Sequence, residues 1–536
     1  MSTISRVAAG AVLVLALPML AAPTAAGAAT DSADTTAVQG TVAGTARKAI
    51  SPNGALPPNT TSAAEAARLT AQHKQLRERV AAAEAARMNL PAPDDQRGRA
   101  PRPPTEAADV SAQGLLIRTN NRNTIANGAN GSNLAEPAAA NRGDSVFYTG
   151  NTYASYSIDR GSTWTNVAIP GGPADAPNAC CDQDVVRSHN YDRIFSIMLY
   201  VNSSLNNGVV RIFVRQTPSS APMCSYEIDP GGTANNVLPD YPHIGVSQNA
   251  LYLGINNIGS SGWLNSQFIR FNLAQMSACQ TTTTHTLTWT GSVGQRLLLP
   301  VEGAQNSTTM YFAAMESSSS IRVFKWPESS TTINHWVRSI SGSSFTNPDC
   351  RGGTGNYDFI ERSTSWSAAG FRMRGTLHGS RVTWFWHSAP TGSITQAHVR
   401  VASFNTSDMT LAEQTQIWNP DFCFGYPVVS GNVFGDLGIS IAAGGRAGGG
   451  GAAAQGYVGV DDTPSDGIHF GTVILTASGT HNRTDGRYGD YFTVRPNARC
   501  QNAWVGTNYA LLNGTATANV NARYVEFGST LDSGCF

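Results

Sequence analysis

The chain has 536 residues, with 36 Lys plus Arg against 36 Asp plus Glu, and only 13% of its residues are charged. That balance excludes the basic footprint of a nucleic-acid binder and the acidic run of a cation-binding tail. Gly is abundant (53), with many Asn, Ser and Thr, which suits short strands joined by turns better than long helices.

In chain order, residues 1–29 read as an export signal. Arg6 supplies a basic start, Val7 to Leu20 is an apolar run too short to span a bilayer, and Ala26-Gly27-Ala28 fits a cleavage site. No later apolar run is long enough for a membrane span, so a secreted, extracellular protein is expected, with no membrane contact once the signal is removed. Residues 30–108 are rich in Ala, Thr and Pro, with one helical island over 62–88 and a Pro-containing linker from 91 to 104. This segment carries no aromatic residue and is expected to be a prosegment or tether.

All eight Cys follow the signal, and an even number in an oxidising compartment favours disulfides over zinc. Cys224 with Cys279 and Cys500 with Cys535 are the expected pairs. Adjacent Cys180 and Cys181 would point to opposite sides of an extended strand, which predicts different partners for them.

From about residue 109 to 536 the signal changes to short alternating runs punctuated by Gly, Asn, Asp and Pro. Strands are predicted at Ser145 to Tyr148, Arg193 to Val201, Val209 to Gln216, His243 to Val246, Met310 to Glu316, Val382 to Ser388 and His398 to Asn405, among others. Groups of about four strands fit an all-β, six- or seven-bladed β-propeller, with seven favoured. A two-layer sandwich of this length would split into domains, and a β-helix would show a short regular repeat that is absent. Within the first group, Ser157-Ile158-Asp159-Arg160-Gly161-Ser162-Thr163-Trp164 reads as one stapled hairpin. Asp159 can accept backbone N–H bonds across the turn, Gly161 supplies positive φ, and Trp164 tucks its ring under the loop.

That Ser-x-Asp-x-Gly-x-Thr-Trp pattern resembles the Asp box, or BNR repeat, of sialidase-like β-propellers. Asp182-Gln183-Asp184 with Tyr191-Asp192-Arg193, Asp240-Tyr241-Pro242-His243-Ile244-Gly245, and Gly486-Arg487-Tyr488-Gly489-Asp490-Tyr491 are similar to segments of secreted bacterial members of that class. The resemblance implies a propeller whose Asp box is structural and lies on the face opposite the active site. It implies little about chemistry.

Propellers bind ligands at one end of the central channel, on loops around the innermost strands. Three clusters are candidates. Asp182 and Asp184 flank Gln183, able to act as acids or to cup a hard cation, with Ca²⁺ the metal such oxygens would take; Asp240 is a further ligand candidate, and no other cofactor is indicated. Asp240, Tyr241 and His243 offer an acid, a platform or nucleophile, and a proton carrier. Arg487, Asp490, Tyr491 and Arg495 offer a carboxylate clamp for an acidic sugar, joined by Arg362. Each also has a plain structural reading as turn caps and packing between blades.

A sialidase proper would need an Arg triad, a Tyr–Glu couple and an acid/base Asp. The early Phe/Tyr-Arg-Ile-Pro motif is missing here, with only Leu116-Ile117-Arg118-Thr119 nearby. Glu302 and Glu361 are the best Glu candidates. The expectation is a monomeric propeller acting on an extracellular polysaccharide or glycoconjugate, as a hydrolase or lyase on an acidic sugar. The alternative is a non-catalytic propeller that binds glycan or protein through its rim loops.

Overall fold

A computed structural model of the chain describes residues 39–46 and 49–53, and 115–529 with interruptions at 231–235, 291–297, 345–348, 361–372, 463–466 and five single positions, together with Leu17–Pro18 and Leu20–Ala21. The helix expected over 62–88, the linker after it, Glu361, Arg362, Asp490 and Cys535 lie outside the described residues. Among those residues no helix is long and apolar enough to cross a membrane.

The structure is a β-propeller. Among the described residues, seven antiparallel sheets of four or more strands follow one another along the chain. The first blade is Ala138–Arg142, Ser145–Thr149, Ala154–Ser157 and Thr165–Val167. The second runs from Asn178–Ser188 to Pro222–Ile228, and the third from Leu238–Val246 to His285–Trp289. The fourth contains Thr309–Ser317 to Thr332–Ser339, the fifth Arg374–His378 to Leu411–Trp418, and the sixth Cys423–Gly431 to Thr472–Ala477. The seventh joins Val494–Pro496, Trp504–Asn508 and Arg523–Ser529 to Leu115–Arg122. The last blade therefore holds strands from both ends of the folded region.

First strands touch first strands in the neighbouring blades other than the third and fourth, and Val494–Pro496 returns to Ala138–Arg142, which closes the ring. Between the third and fifth blades the inner position is taken by Leu298 to Glu302, where Val301 N donates to Tyr311 O (3.2 Å) and Glu302 bridges to Thr376. Gly254 is needed there, because a Cβ would meet the Leu298 carbonyl at 2.0 Å. Apolar side chains fill the space between neighbouring blades. Phe268, Phe312 and Phe324 stack in series, with centroids 3.9 and 4.8 Å apart, alongside buried Trp326.

The hairpin at Asp159 forms as its sequence predicts. Asp159 accepts from Thr163 N (2.9 Å) and Thr163 Oγ1 (2.7 Å), Ser157 Oγ donates to Asp159 (2.7 Å), and Gly161 has φ 80°. Trp164 sits edge-on between Tyr148 and Tyr524, and Arg160 pairs with buried Glu526. The hairpin thus joins the first blade to the seventh. It lies at the trailing end of the inner strands, where Arg160 N donates to Asp144 O (2.9 Å).

Cys224–Cys279 forms as expected, and Cys350–Cys423 is a further pair. Cys180 and Cys181 do not take different partners: they are bonded to each other. The expectation assumed an extended strand, but the ladder shifts register between Ala179 and Cys181 and again between Cys181 and Asp184. Those irregularities remove the alternation that would have separated the two side chains.

Candidate functional site

Four inner strands share one local device. Glu136, Asp182, Tyr241 and Tyr426 have φ of 44°, 54°, 55° and 54°. In each case ladder pairing begins or resumes two residues later, at Ala138, Asp184, His243 and Val428. Three of the four are followed by proline (Pro137, Pro242, Pro427). Left-handed backbone at a non-glycine residue is costly and persists only when its surroundings hold it. The preceding blade supplies that hold for three of them. Asp182 N donates to Asn151 Oδ1 (3.3 Å), Tyr241 N to Asp182 Oδ2 (3.0 Å), and Tyr426 N to His387 Nε2 (2.6 Å). Bulges of this kind re-aim side chains.

At the leading end of the inner strands, opposite the Asp159 hairpin, Tyr241, Arg374, Tyr426, Pro427, Val428, Tyr491 and Phe492 line a small cleft. Arg374 Nη2 donates to the Tyr241 hydroxyl (3.3 Å), and its two Nη atoms lie 3.1 Å from the two ring nitrogens of His243. The Tyr491 ring stacks on His243 from 4.2 Å, and its hydroxyl donates to Pro242 O (3.0 Å). Tyr241 and Tyr491 are each 1% exposed, so the aromatic walls are set before any ligand arrives.

Deeper in the channel His243 Nδ1 is 3.3 Å from Asp184, which also accepts from Ile244 N (3.1 Å) and Arg495 Nη2 (2.9 Å). Arg495 pairs in turn with Glu302, at the other mouth. Burial pushes His243 down to about 3, helped by the Arg374 charge and opposed by Asp184, so the imidazole is neutral over the whole physiological range. Burial pushes the Asp184 carboxyl up, but the Arg495 charge and the His243 bond outweigh it and bring it to about 2. Asp184 is therefore an ionised anchor that cannot donate a proton near neutrality. His243 Nδ1 thus lies between Asp184 and Arg374 Nη1, and Nε2 faces Arg374 Nη2.

No protein-family model matches the chain, and no curated protein matches it significantly. Solved propellers are similar in outline. An α-L-arabinanase of Penicillium chrysogenum, solved with arabinobiose, is 8% identical over 74% of this chain and 93% of its own, with TM-score 0.38. A lectin of Burkholderia pseudomallei is 13% identical over 74% and 96%, with TM-score 0.42. The propeller domain of a Pyrococcus furiosus protease is 9% identical over 69% and 91%, with TM-score 0.33. Scores of this size assign no activity to the chain.

Of the predicted site residues, the ring brings Asp182, Tyr241, His243, Tyr491 and Arg495 together. Asp182 serves as a backbone clamp, and its amide-bound oxygen and the Arg495-bound Asp184 are not arranged as calcium ligands; no group of three or more His, Cys, Asp or Glu is gathered for a metal among the described residues. Asp240 is buried one residue before the Tyr241 bulge, paired in the ladder with Asn256. Arg487 lies in the loop before Tyr488, its amide donating to Asp485 (3.3 Å). Arg374 and Tyr426 were not predicted. Gly425-Tyr426-Pro427-Val428-Val429 repeats the order of Asp240-Tyr241-Pro242-His243-Ile244, which is a signal for Tyr426; Arg374 has none.

Proposed function

We propose that the protein is a secreted polysaccharide lyase that cleaves uronate-containing glycans by β-elimination at the Tyr241–Arg374 pocket. The observation that carries this reading is Arg374 set 3.3 Å from the Tyr241 hydroxyl in the wall of the cleft that both residues line, with neutral His243 behind it. In such a reaction the carboxylate of the sugar meets Arg374, which lowers the acidity barrier at the adjacent carbon. A base takes the C5 proton, the C4–O bond breaks, a C4=C5 double bond forms, and the leaving oxygen receives a proton. Tyr241 is the proton carrier: its oxygen takes the C5 proton as the base and returns it to the leaving oxygen, with Arg374 donating to that oxygen at 3.3 Å. Neutral His243 braces Arg374 without adding a competing positive charge.

Hydrolysis is less well supported, since it needs two carboxyl groups flanking the bond, one of them protonated. Asp184 is held ionised and spent on Arg495, and Asp182 is spent on the Tyr241 amide. A non-catalytic glycan binder is the second reading, favoured by the deep burial of the pocket's aromatic walls. The test is incubation with a panel of uronate polysaccharides, following both the ultraviolet absorbance of the unsaturated product and the release of reducing ends. A lyase yields both signals and a hydrolase only reducing ends. Neither signal, with retention on immobilised polysaccharide, would establish the binder.

A further inference from the structure

The outer edges of the second, third and fourth blades carry a segment from far upstream. Gln39–Ala43 pairs antiparallel with Thr332–Ser339, from Gln39 opposite Trp336 to Ala43 opposite Thr332. Thr45–Ala46 pairs with His285–Trp289, and isolated bridges join Ile50 to Thr282 and Asn53 to Ser225. Backbone bonds accompany these pairings: Gly44 N to Thr331 O (2.8 Å), Ile50 N to Thr282 O (2.7 Å) and Asn53 N to Ser225 O (2.8 Å). Thirteen described residues between Gln39 and Asn53 thus reach three blades in succession.

The fit is specific to this sequence. A Cβ on Gly40 would meet the His335 ring at 2.6 Å, and one on Gly44 the Trp326 ring at 2.9 Å, so the backbone passes tight against two aromatic rings that a larger residue would displace. Val42 packs against the core between the third and fourth blades, and Ile50 against the cluster that includes Cys224. At the far end Asn53 Nδ2 donates to Glu227 (2.9 Å), the carboxylate that also pairs with Arg211. The segment lies beside both Cys224 and Cys279, the disulfide that ties the second blade to the third.

We infer that residues 39–53 are a strap of the working protein, filling in cis a docking surface made by the exposed edges of three blades, and are not part of a discarded leader. Open sheet edges pair with any extended chain that reaches them. The strap occupies these edges with a strand whose glycines match the rings beneath. The Leu17–Pro18 and Leu20–Ala21 pairings at other blades are two residues each. They make no comparable claim.

The inference is independent of any catalytic reading and is tested on the full-length exported protein. Deleting residues 39–53 is expected to lower the thermal midpoint by several degrees and to speed thermolysin cleavage at least tenfold, with a synthetic peptide of that sequence restoring both. Gly44→Val is expected to shift the midpoint in the same direction. An unchanged midpoint and unchanged cleavage on deletion would overturn the strap. Should the deleted chain fail to fold, the intact mass of the secreted wild type decides. A mature N-terminus at or before Gln39 supports the inference, and one beyond Asn53 rejects it.

Discussion

Asp182 of the second blade accepts the backbone amide of Tyr241 of the third at 3.0 Å, and so fixes the left-handed turn that aims the Tyr241 ring. Asp182 is fully buried, so replacing it strands a buried N–H. Asp182→Ala is expected to cost about 1–3 kcal/mol. Asp182→Asn, which keeps an acceptor, should recover most of it. Urea unfolding of the two variants side by side measures the difference; equal losses would mean the carboxylate charge matters more than the bond.

At the pocket, Tyr241→Phe removes one hydroxyl and keeps the ring. Turnover on a uronate polysaccharide should fall by about 10²–10⁴-fold with little change in KM or thermal midpoint. Arg374→Lys should not rescue, since an ammonium cannot span both the Tyr241 hydroxyl and the two ring nitrogens that the guanidinium reaches. Unaltered turnover in Tyr241→Phe would remove that hydroxyl from the chemistry.

Acid should destabilise the fold in two stages. His243 is held neutral in the folded chain, down at about 3 against 6.5, so below pH 6.5 the unfolded chain takes up a proton that the folded chain refuses. Stability is then lost as pH falls from about 6.5 towards 3. Asp184, lowered to about 2, contributes stability present above its ordinary value of 3.8 and lost as pH falls towards 2. His189, His378 and His398 are likewise depressed, mainly by burial, and act in the same direction as His243. Thermal midpoints measured from pH 7 to 4 should fall for the wild type and fall less for His243→Asn. A parallel decline would place the dependence on the other depressed histidines, which also include His285 and His335.

The Asp159 hairpin lies at the end of the channel away from the pocket. Asp159→Ala removes the acceptor for Thr163 N and Thr163 Oγ1, an exposed turn whose loss should cost on the order of 1 kcal/mol. Activity per folded molecule should be unchanged. A large fall in turnover with stability intact would argue against the structural role.

The Cys180–Cys181 bond makes a direct analytical prediction. Digestion without reduction should release one peptide containing both cysteines, lighter by two hydrogens than its reduced form and joined to no other peptide. Cross-linking to a distant Cys peptide would refute the pairing.

Much of the ring was legible because each blade reports itself locally. Arg193–Val201 and His398–Asn405 were read with their observed limits, since continuous apolar or alternating runs end at clear turn residues. The strand at Leu238–Val246 was entered late, at His243, because a left-handed Tyr followed by Pro looks like a turn when it is a bulge inside a strand. The site was half legible for a related reason. Tyr241, His243 and Tyr491 announce themselves as aromatic and titratable groups beside Pro and Gly. Arg374 reaches them from 131 and 133 positions away, at the start of an ordinary strand, and nothing local marks it. The Cys180–Cys181 pair was misread because side-chain alternation presumes a regular ladder.

The seventh blade cannot form until the chain has been made through Arg523–Ser529. Leu115–Arg122 emerges first yet finds its hydrogen-bond partner only in Arg523–Ser529, so Arg523 meets the Asn120 carbonyl across 403 positions. A truncated product would leave an early strand waiting with an open edge and six blades around an unclosed gap.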